Sequence, residues 1–197
     1  IEFEKMSDLS ASLRRRLSEN FSICDLGLEE MLESRDRTRK FLFRLNDGNL
    51  IEAVSIPAEG RTTGCLSTQA GCKFACCFCA SGMLGFKRNL DPGEIINEVL
   101  YLKNNSPEGS LLTHIVFMGT GEPLDNYDNV LKSIPIINSA SGLNIGCRRI
   151  TFSTCGIIPG VERLAGEGLQ IELSVSLHSA DDKIRSRLMP VNKIYPL

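Results

Sequence analysis

The stretch Cys72-Lys73-Phe74-Ala75-Cys76-Cys77-Phe78-Cys79 constrains this chain more than any other. Four thiols fall within eight residues, opened by Gly71 and closed by the small pair Ala80-Ser81. Thiols spaced that closely, in a chain without other secretory signs, share a metal or a cluster rather than pairing as disulfides. Structural zinc prefers two paired hooks, and no second hook follows: Cys147 and Cys155 stand far downstream with seven residues between them. The run contains an x3, x2 spacing (Cys72, Cys76, Cys79) and, through Cys77, an x4, x1 spacing. An iron–sulfur cluster, a zinc ion and free buried thiols are the readings open at this point, and cluster thiolates normally number four.

The chain of 197 residues has room for one domain, or one domain with a small appendage. At 42% apolar it can build a core, yet no run approaches the ~18 apolar residues of a membrane span. No charged-then-apolar-then-small pattern marks a signal peptide. Eight cysteines without such a signal point to a reducing cytoplasm. The net charge of −2 gives no global steering toward nucleic acid, so RNA contact would need a local basic patch. The chain opens on Ile1 and stops at Tyr195-Pro196-Leu197 without an evident terminal helix, which reads as a fragment.

Leu9, Leu13 and Leu17 recur every four residues and predict a helix over Ser7 to Leu17, capped by Ser7 or Asp8, with Arg14-Arg15-Arg16 largely on the opposite, solvated face. From Lys40 the period becomes two: Phe41, Phe43 and Leu45 alternate, Asn46-Asp47-Gly48-Asn49 turns, and Ile51, Ala53 and Ser55 alternate again. That is a β-hairpin pattern. A boundary between about 34 and 59 follows, giving a helical and hairpin region over 1–58 and a main domain over 59–197. There the order is strand, site, helix, repeated four times. Strands are expected at Thr62–Ser67, Leu111–Met118, Arg149–Ser153 and Ile171–Leu177. Helices are expected at Pro92–Asn104, Tyr127–Asn138, Gly160–Gly166 and Asp181–Leu188. Continuous apolar strands alternating with helices argue for an α/β fold with a parallel sheet buried on both faces. The polar motifs sit just after strands, where α/β enzymes place their chemistry.

Met118-Gly119-Thr120-Gly121-Glu122-Pro123-Leu124 ends the second of these strands. Alone it reads as a glycine turn, but two glycines also let a ligand approach the backbone, and Glu122 can accept from an ammonium group. Ser153 and Ser176-Leu177-His178 end the next two strands. A lone histidine there is more often a satisfied core residue; its place among successive strand ends favours ligand contact.

Taken together, these motifs resemble the radical S-adenosylmethionine (SAM) RNA methyltransferases of the RlmN/Cfr family, on its RlmN side. The resemblance is carried by Gly64-Cys65-Leu66-Ser67-Thr68-Gln69-Ala70-Gly71 before the cysteine run and by Gly85-Phe86-Lys87-Arg88-Asn89-Leu90 after it. The MGxGEPL stretch, Asn126-Tyr127-Asp128-Asn129-Val130, Ser153-Thr154, Ser176-Leu177-His178 and Met189-Pro190-Val191-Asn192 extend it from about Ser7 to Leu197. It implies a partial (βα) barrel of radical-SAM type with the N-terminal region as appendage. It also implies methylation of adenine C2 in 23S ribosomal RNA and certain transfer RNAs, or of adenine C8 as in Cfr. Pro123 favours the C2 enzyme, since Cfr usually carries Ala there. A zinc-stabilised RNA-binding module and a simple electron-transfer protein are the readings of other classes, and neither has a use for GEPL and SLH.

In this family one SAM methylates a C-terminal cysteine of the enzyme, and a second is cleaved reductively at a [4Fe–4S] cluster. The resulting 5′-deoxyadenosyl radical activates the methylated cysteine for addition to the adenine ring. By resemblance, Cys72, Cys76 and Cys79 would ligate the cluster and leave one iron open for SAM. Gly121, Glu122, Ser153, Ser176, Leu177 and His178 would contact SAM. Glu52 falls where the family places a general base, and Cys65 where it places the thiol that resolves the protein–RNA adduct by forming a disulfide. A flavodoxin- or ferredoxin-type protein would donate the electron. The methyl-carrying cysteine is expected beyond Leu197; Cys24, Cys147 and Cys155 match no motif and read as buried thiols. Cys77 departs from the family, which generally has no thiol there. Candidate RNA contacts are Lys73, Lys87 and Arg88, the run Arg35, Arg37, Arg39 and Lys40, and the helical Arg185 and Arg187, each equally readable as solvated surface.

Overall fold

The computed structural model describes residues 2–21, 26–106 and 111–197. Four strands come first: β1 (Gly27–Glu33), β2 (Arg39–Arg44), β3 (Leu50–Ala58) and β4 (Arg61–Cys65). The pair β5 (Gln69–Ala70) and β6 (Arg88–Asn89) brackets the cysteine run, and β7 (Leu112–Phe117), β8 (Ile150–Thr154) and β9 (Glu172–Val175) follow. The main sheet has the order β1-β2-β3-β4-β7-β8-β9, antiparallel up to β4 and parallel from β4 onward. It runs unbroken across residue 58, because Val54 pairs with Cys65 and Ser55 with Gly64.

The helices are α1 (Ala11–Asn20), α2 (Ala80–Met83), α3 (Pro92–Asn104), α4 (Tyr127–Asn138), α5 (Ile158–Gly166) and α6 (Asp182–Leu188). Helix α3 begins where its sequence demands. Asp91 accepts the Glu94 N–H at 2.8 Å, Glu94 reaches back to the Asp91 N–H at 3.0 Å, and Pro92 fills the first position. Its residues Ile95, Val99 and Leu102, at i, i+4 and i+7, are wholly buried against the sheet. Val130, Ile134 and Ile137 do the same for α4. Beneath them lie Ile115, Phe117, Ile150 and Phe152, and the Phe117 and Phe152 rings meet edge to face at 5.0 Å. Each such side chain contributes about 1.5–3 kcal/mol on burial. The fold is therefore α/β, with β4, β7, β8 and β9 as the parallel strands of a partial (βα) barrel.

Several expectations shift. The first helix starts later than its leucine spacing suggested and is capped by Ser10, whose hydroxyl accepts the Leu13 N–H at 3.3 Å; Ser7 and Asp8 lie outside it. None of its residues is buried, so the leucine stripe meets no core. Strand β1 was not legible: all seven of its residues are exposed, and its acidic sequence has no period-two face. The described cysteines are all free, so the disulfide is absent among the described residues. Cys65 is among these free thiols. Cys24 lies outside the described residues. No helix among the described residues is long and apolar enough to cross a membrane.

Candidate functional site

The carboxyl ends of β7, β8 and β9 open onto a cavity of about 310 Å³. Cys72, Cys76 and Cys79 line one side of it, and Gly121, Glu122, Ser153, Ser176 and His178 line the other. Eight of the eleven residues singled out in the sequence thus share one space, although they come from four separate stretches of chain. Phe74, Phe78, Thr154, Cys155 and Met189 complete the wall.

After β7 the chain must turn tightly past the segment that follows β4. Gly121 has φ = +104°, and a Cβ there would lie 2.6 Å from Gln69 Cβ, so only glycine fits. Gln69, fully buried, organises this crossing. Its Oε1 accepts the Glu122 N–H at 3.0 Å, while its Nε2 donates to Asn89 and Asp125, each at 2.8 Å. Sequence reasoning missed Gln69; a buried glutamine inside the Leu66–Gly71 block carries no periodic signal.

Glu122 is 4% exposed. Its Oε2 accepts the Cys155 N–H at 2.7 Å and its Oε1 the Leu124 N–H at 3.1 Å. Burial pushes its pKa up, and these bonds only partly offset that. No lysine or arginine pairs with it among the described residues. A buried carboxylate at a cavity wall, fixed by two backbone donors and lacking a cation, is a receptor for one.

His178 adopts φ = +56°, unusual for a residue with a Cβ, and its ring lies 4.4 Å from that of Phe78 in the cysteine run. Leu177 does not line the cavity with its side chain, which is exposed. It takes part through its carbonyl, which accepts from Arg185 Nε at 3.2 Å and from the Ser179 N–H at 2.7 Å.

The cysteine run is held by the Cys79 N–H to Cys76 carbonyl bond at 3.0 Å and the Cys77 N–H to Leu188 carbonyl bond at 2.9 Å. Cys77 is exposed, whereas Cys72, Cys76 and Cys79 are half-buried. Burial first, then the neighbouring thiolates Cys72 and Cys79, push the Cys76 thiol up to about 11; burial likewise raises Cys72. The raised Cys72 and Cys76 thiols are relieved when a cation takes them as thiolates. Among the described residues no three His, Cys, Asp or Glu side chains gather tightly enough for a single ion. Three thiols lining one cavity, with no fourth ligand of that type in its wall besides Cys155, suit the donor set of an iron–sulfur cluster bound through thiolates.

Glu52 and Cys65 lie apart from this cavity. Glu52, half-exposed on β3, pairs with Lys40 Nζ at 2.9 Å. Cys65 ends β4, and its thiol is pushed up to about 11, first by burial and then by the nearby Glu98. Ser67 connects Glu52 to the cavity loop: its hydroxyl donates to the Glu52 carbonyl at 2.6 Å and accepts the Thr120 N–H at 2.9 Å. Its own N–H donates to Glu98 Oε2 at 2.9 Å.

Some of the basic candidates turn out to be engaged within the chain. Arg88 makes a two-pronged bond to Glu94, at 2.7 and 2.8 Å, and also holds Asp47 of the hairpin turn. Lys73 pairs with Asp125 at 2.5 Å. Arg185 is buried, while Arg35, Arg37, Lys87 and Arg187 are exposed or half-buried.

A family model described as the radical SAM superfamily matches residues 66–195. The probable dual-specificity RNA methyltransferase RlmN of Akkermansia muciniphila is 47% identical over 99% of this chain and 56% of its own length. The protein of the same name from a Thermoanaerobacter species is 46% identical over 100% and 57%. A crystal structure of a radical SAM methyltransferase from Sphaerobacter thermophilus superposes with a TM-score of 0.94 at 41% identity, covering 100% of this chain and 58% of that one. The chain therefore spans little more than half the length of these relatives.

Proposed function

The chain belongs to the radical SAM superfamily, and from that premise we propose that it is the cluster- and SAM-binding portion of an RlmN-type RNA methyltransferase. Its target in this reading is C2 of adenine in 23S ribosomal RNA and in certain transfer RNAs. The observation that carries the reading is the convergence on one cavity of three cysteine thiols and Glu122, a buried carboxylate without a cation. The RNA substrate is supported by the relatives 46–47% identical to this chain, which are named as probable RNA methyltransferases.

Cys72, Cys76 and Cys79 would hold a [4Fe–4S] cluster. When bound, the cluster supplies the electron that cleaves SAM reductively to a 5′-deoxyadenosyl radical. Glu122 takes the ammonium group of SAM, replacing the cation its burial lacks. Ser153, Ser176 and His178 contact the rest of the molecule from the strand ends, with Gly121 and Leu177 acting through their backbones. The apolar wall of Phe74, Phe117 and Met189 excludes water from a reactive species.

Outside the cavity, Glu52 Oε1 receives the proton removed from the adenine ring, once released from Lys40. Cys65 then attacks, as a thiolate, the sulfur of the enzyme–CH2–RNA link. An S–S bond forms, the S–CH2 bond breaks, and its electron pair leaves with the carbon, which takes a proton to become the methyl group. The raised pKa of Cys65 makes its deprotonation part of that step. Residues 1–58 form the appendage and 59–197 the catalytic core. A cytoplasmic setting and a flavodoxin- or ferredoxin-type donor complete the reading. The test is mass spectrometry of ribosomal and transfer RNA from cells with and without the full-length protein. Loss of 2-methyladenosine on deletion supports the reading; loss of 8-methyladenosine instead would move it to the Cfr branch, and no change in either would overturn it.

A further inference from the structure

Arg185, on α6, is 3% exposed, and its guanidinium bonds only to neutral acceptors. Nη2 donates to the Cys155 carbonyl at 2.7 Å, Nε to the Leu177 carbonyl at 3.2 Å, and Nη1 to Asn192 Oδ1. Asp182, linked to Asn192, lies near enough to feel this charge, yet no carboxylate bonds to the guanidinium directly, and a buried charge is costly unless its nitrogens find acceptors. Here two of the nitrogens bond to the loops that follow β8 and β9. Cys155 follows β8 and Leu177 follows β9.

Both carbonyls lie one step from the cavity. The N–H of Cys155 is the donor to Glu122 Oε2, so fixing Cys155 from its carbonyl side also fixes the carboxylate. The carbonyl of Leu177 belongs to the peptide unit that leads into His178, the residue at φ = +56°. A non-glycine residue held there costs on the order of 1 kcal/mol and persists only when its surroundings over-determine it. Arg185 and the Ser179 N–H supply that restraint by sharing the Leu177 oxygen.

The sequence also makes room for the fork. Gly156 has φ = +103°, and a Cβ there would stand 3.1 Å from Arg185 Nη2. Asn192 supports the far side, its Nδ2 donating to Asp182 Oδ1 and Ser186 Oγ, both at 2.9 Å. Lysine cannot replace this arrangement, because a single ammonium does not span two carbonyls and an amide in one plane.

We propose that Arg185 is a positioning residue for SAM binding: its guanidinium clamps the ends of β8 and β9 so that Glu122 and His178 face the same cavity. The proposal rests on the SAM-site reading above. A purely structural role would lower stability without touching affinity or local exchange, and this separates the two.

The experiment compares the anaerobically reconstituted chain with its Arg185→Lys and Asn192→Ala variants, at a temperature where circular dichroism shows each folded. Iron content, SAM affinity by equilibrium dialysis, and hydrogen exchange at the His178 and Ser179 amides are measured. The clamp predicts parental iron content, SAM affinity weakened at least about tenfold in Arg185→Lys, a smaller loss in Asn192→Ala, and faster exchange at both amides. Parental affinity in a folded Arg185→Lys variant would overturn the proposal alone. Should that variant not fold, parental affinity and exchange in Asn192→Ala would overturn it. A parent chain that loads its cluster yet binds no SAM would overturn the SAM-site reading and the proposal with it.

Discussion

Glu122 Oε2 and the backbone N–H of Cys155 lie 2.7 Å apart, joining the loop after β7 to the end of β8 in the wall of the cavity. The contact fixes a buried carboxylate from two sides, since Leu124 holds its other oxygen. Among the described residues no lysine or arginine pairs with that carboxylate.

The first prediction follows from that buried carboxylate. Glu122→Gln can accept only one of the two backbone donors and carries no charge. Loss of a bond to a charged group costs about 1.5–3 kcal/mol, so SAM should bind at least tenfold more weakly while iron content stays parental. The pH dependence has a definite sign. Burial raises the Glu122 pKa, so SAM affinity of the parent should fall as pH drops through that raised value. Equilibrium dialysis should show this acid limb in the parent and its absence in the variant.

Glu98 provides the second. It is fully buried on α3; among the described residues it accepts from Ser67 N–H alone and its Oε1 has no partner. Burial raises its pKa well above the ordinary carboxylate range. With the folded value above the unfolded one, its contribution to stability is fully present below the unfolded pKa. That contribution is lost as pH rises through the folded pKa. Glu98→Gln keeps the acceptor for Ser67 and removes the ionisation. Thermal unfolding should show a Tm gain over the parent that grows with pH, reaching at least about 2–4 °C, as ~1 kcal/mol gives in a chain of this size. An equal offset at every pH would show that Glu98 does not titrate.

The same elements show what a sequence can and cannot announce. Helices α3 and α4 fall on the residues their patterns marked, because caps and apolar spacing are local information. The hairpin turn and the four parallel strands were legible for the same reason. Strand β1 was not, since an edge strand exposed along its whole length needs no apolar face and owes its form to the ladder with β2. The site residues at strand ends were visible through resemblance and position. Their supports, Gln69 and Arg185, were not. A polar side chain buried by contacts more than twenty residues distant looks in sequence like any surface residue, and Arg185 was read as one.

The choice of ligand register yields the third prediction. Cys76 lines the cavity, whereas Cys77 is exposed and contributes its backbone N–H to Leu188. Cys76→Ala should abolish cluster assembly, and Cys77→Ala should leave iron and sulfide content unchanged. The reverse outcome would assign the cluster to the other thiol spacing.

Cys65 supplies the fourth. Alanine at this half-buried position removes the sulfur and little volume, so the fold and the cluster should survive. If Cys65 resolves the adduct, the full-length Cys65→Ala enzyme should accumulate a covalent protein–RNA species on a denaturing gel. Turnover at the parental rate would reduce Cys65 to packing.

The central claim is that three thiols of this chain hold a cluster with a position left for SAM. Electron paramagnetic resonance of the anaerobically reconstituted and reduced chain, recorded before and after SAM is added, tests it most directly. The account predicts a [4Fe–4S] signal that changes on addition of SAM and that fails to change in Glu122→Gln at the same concentration. One tightly bound zinc per chain with no iron–sulfur signal, or a cluster signal indifferent to SAM, would contradict it.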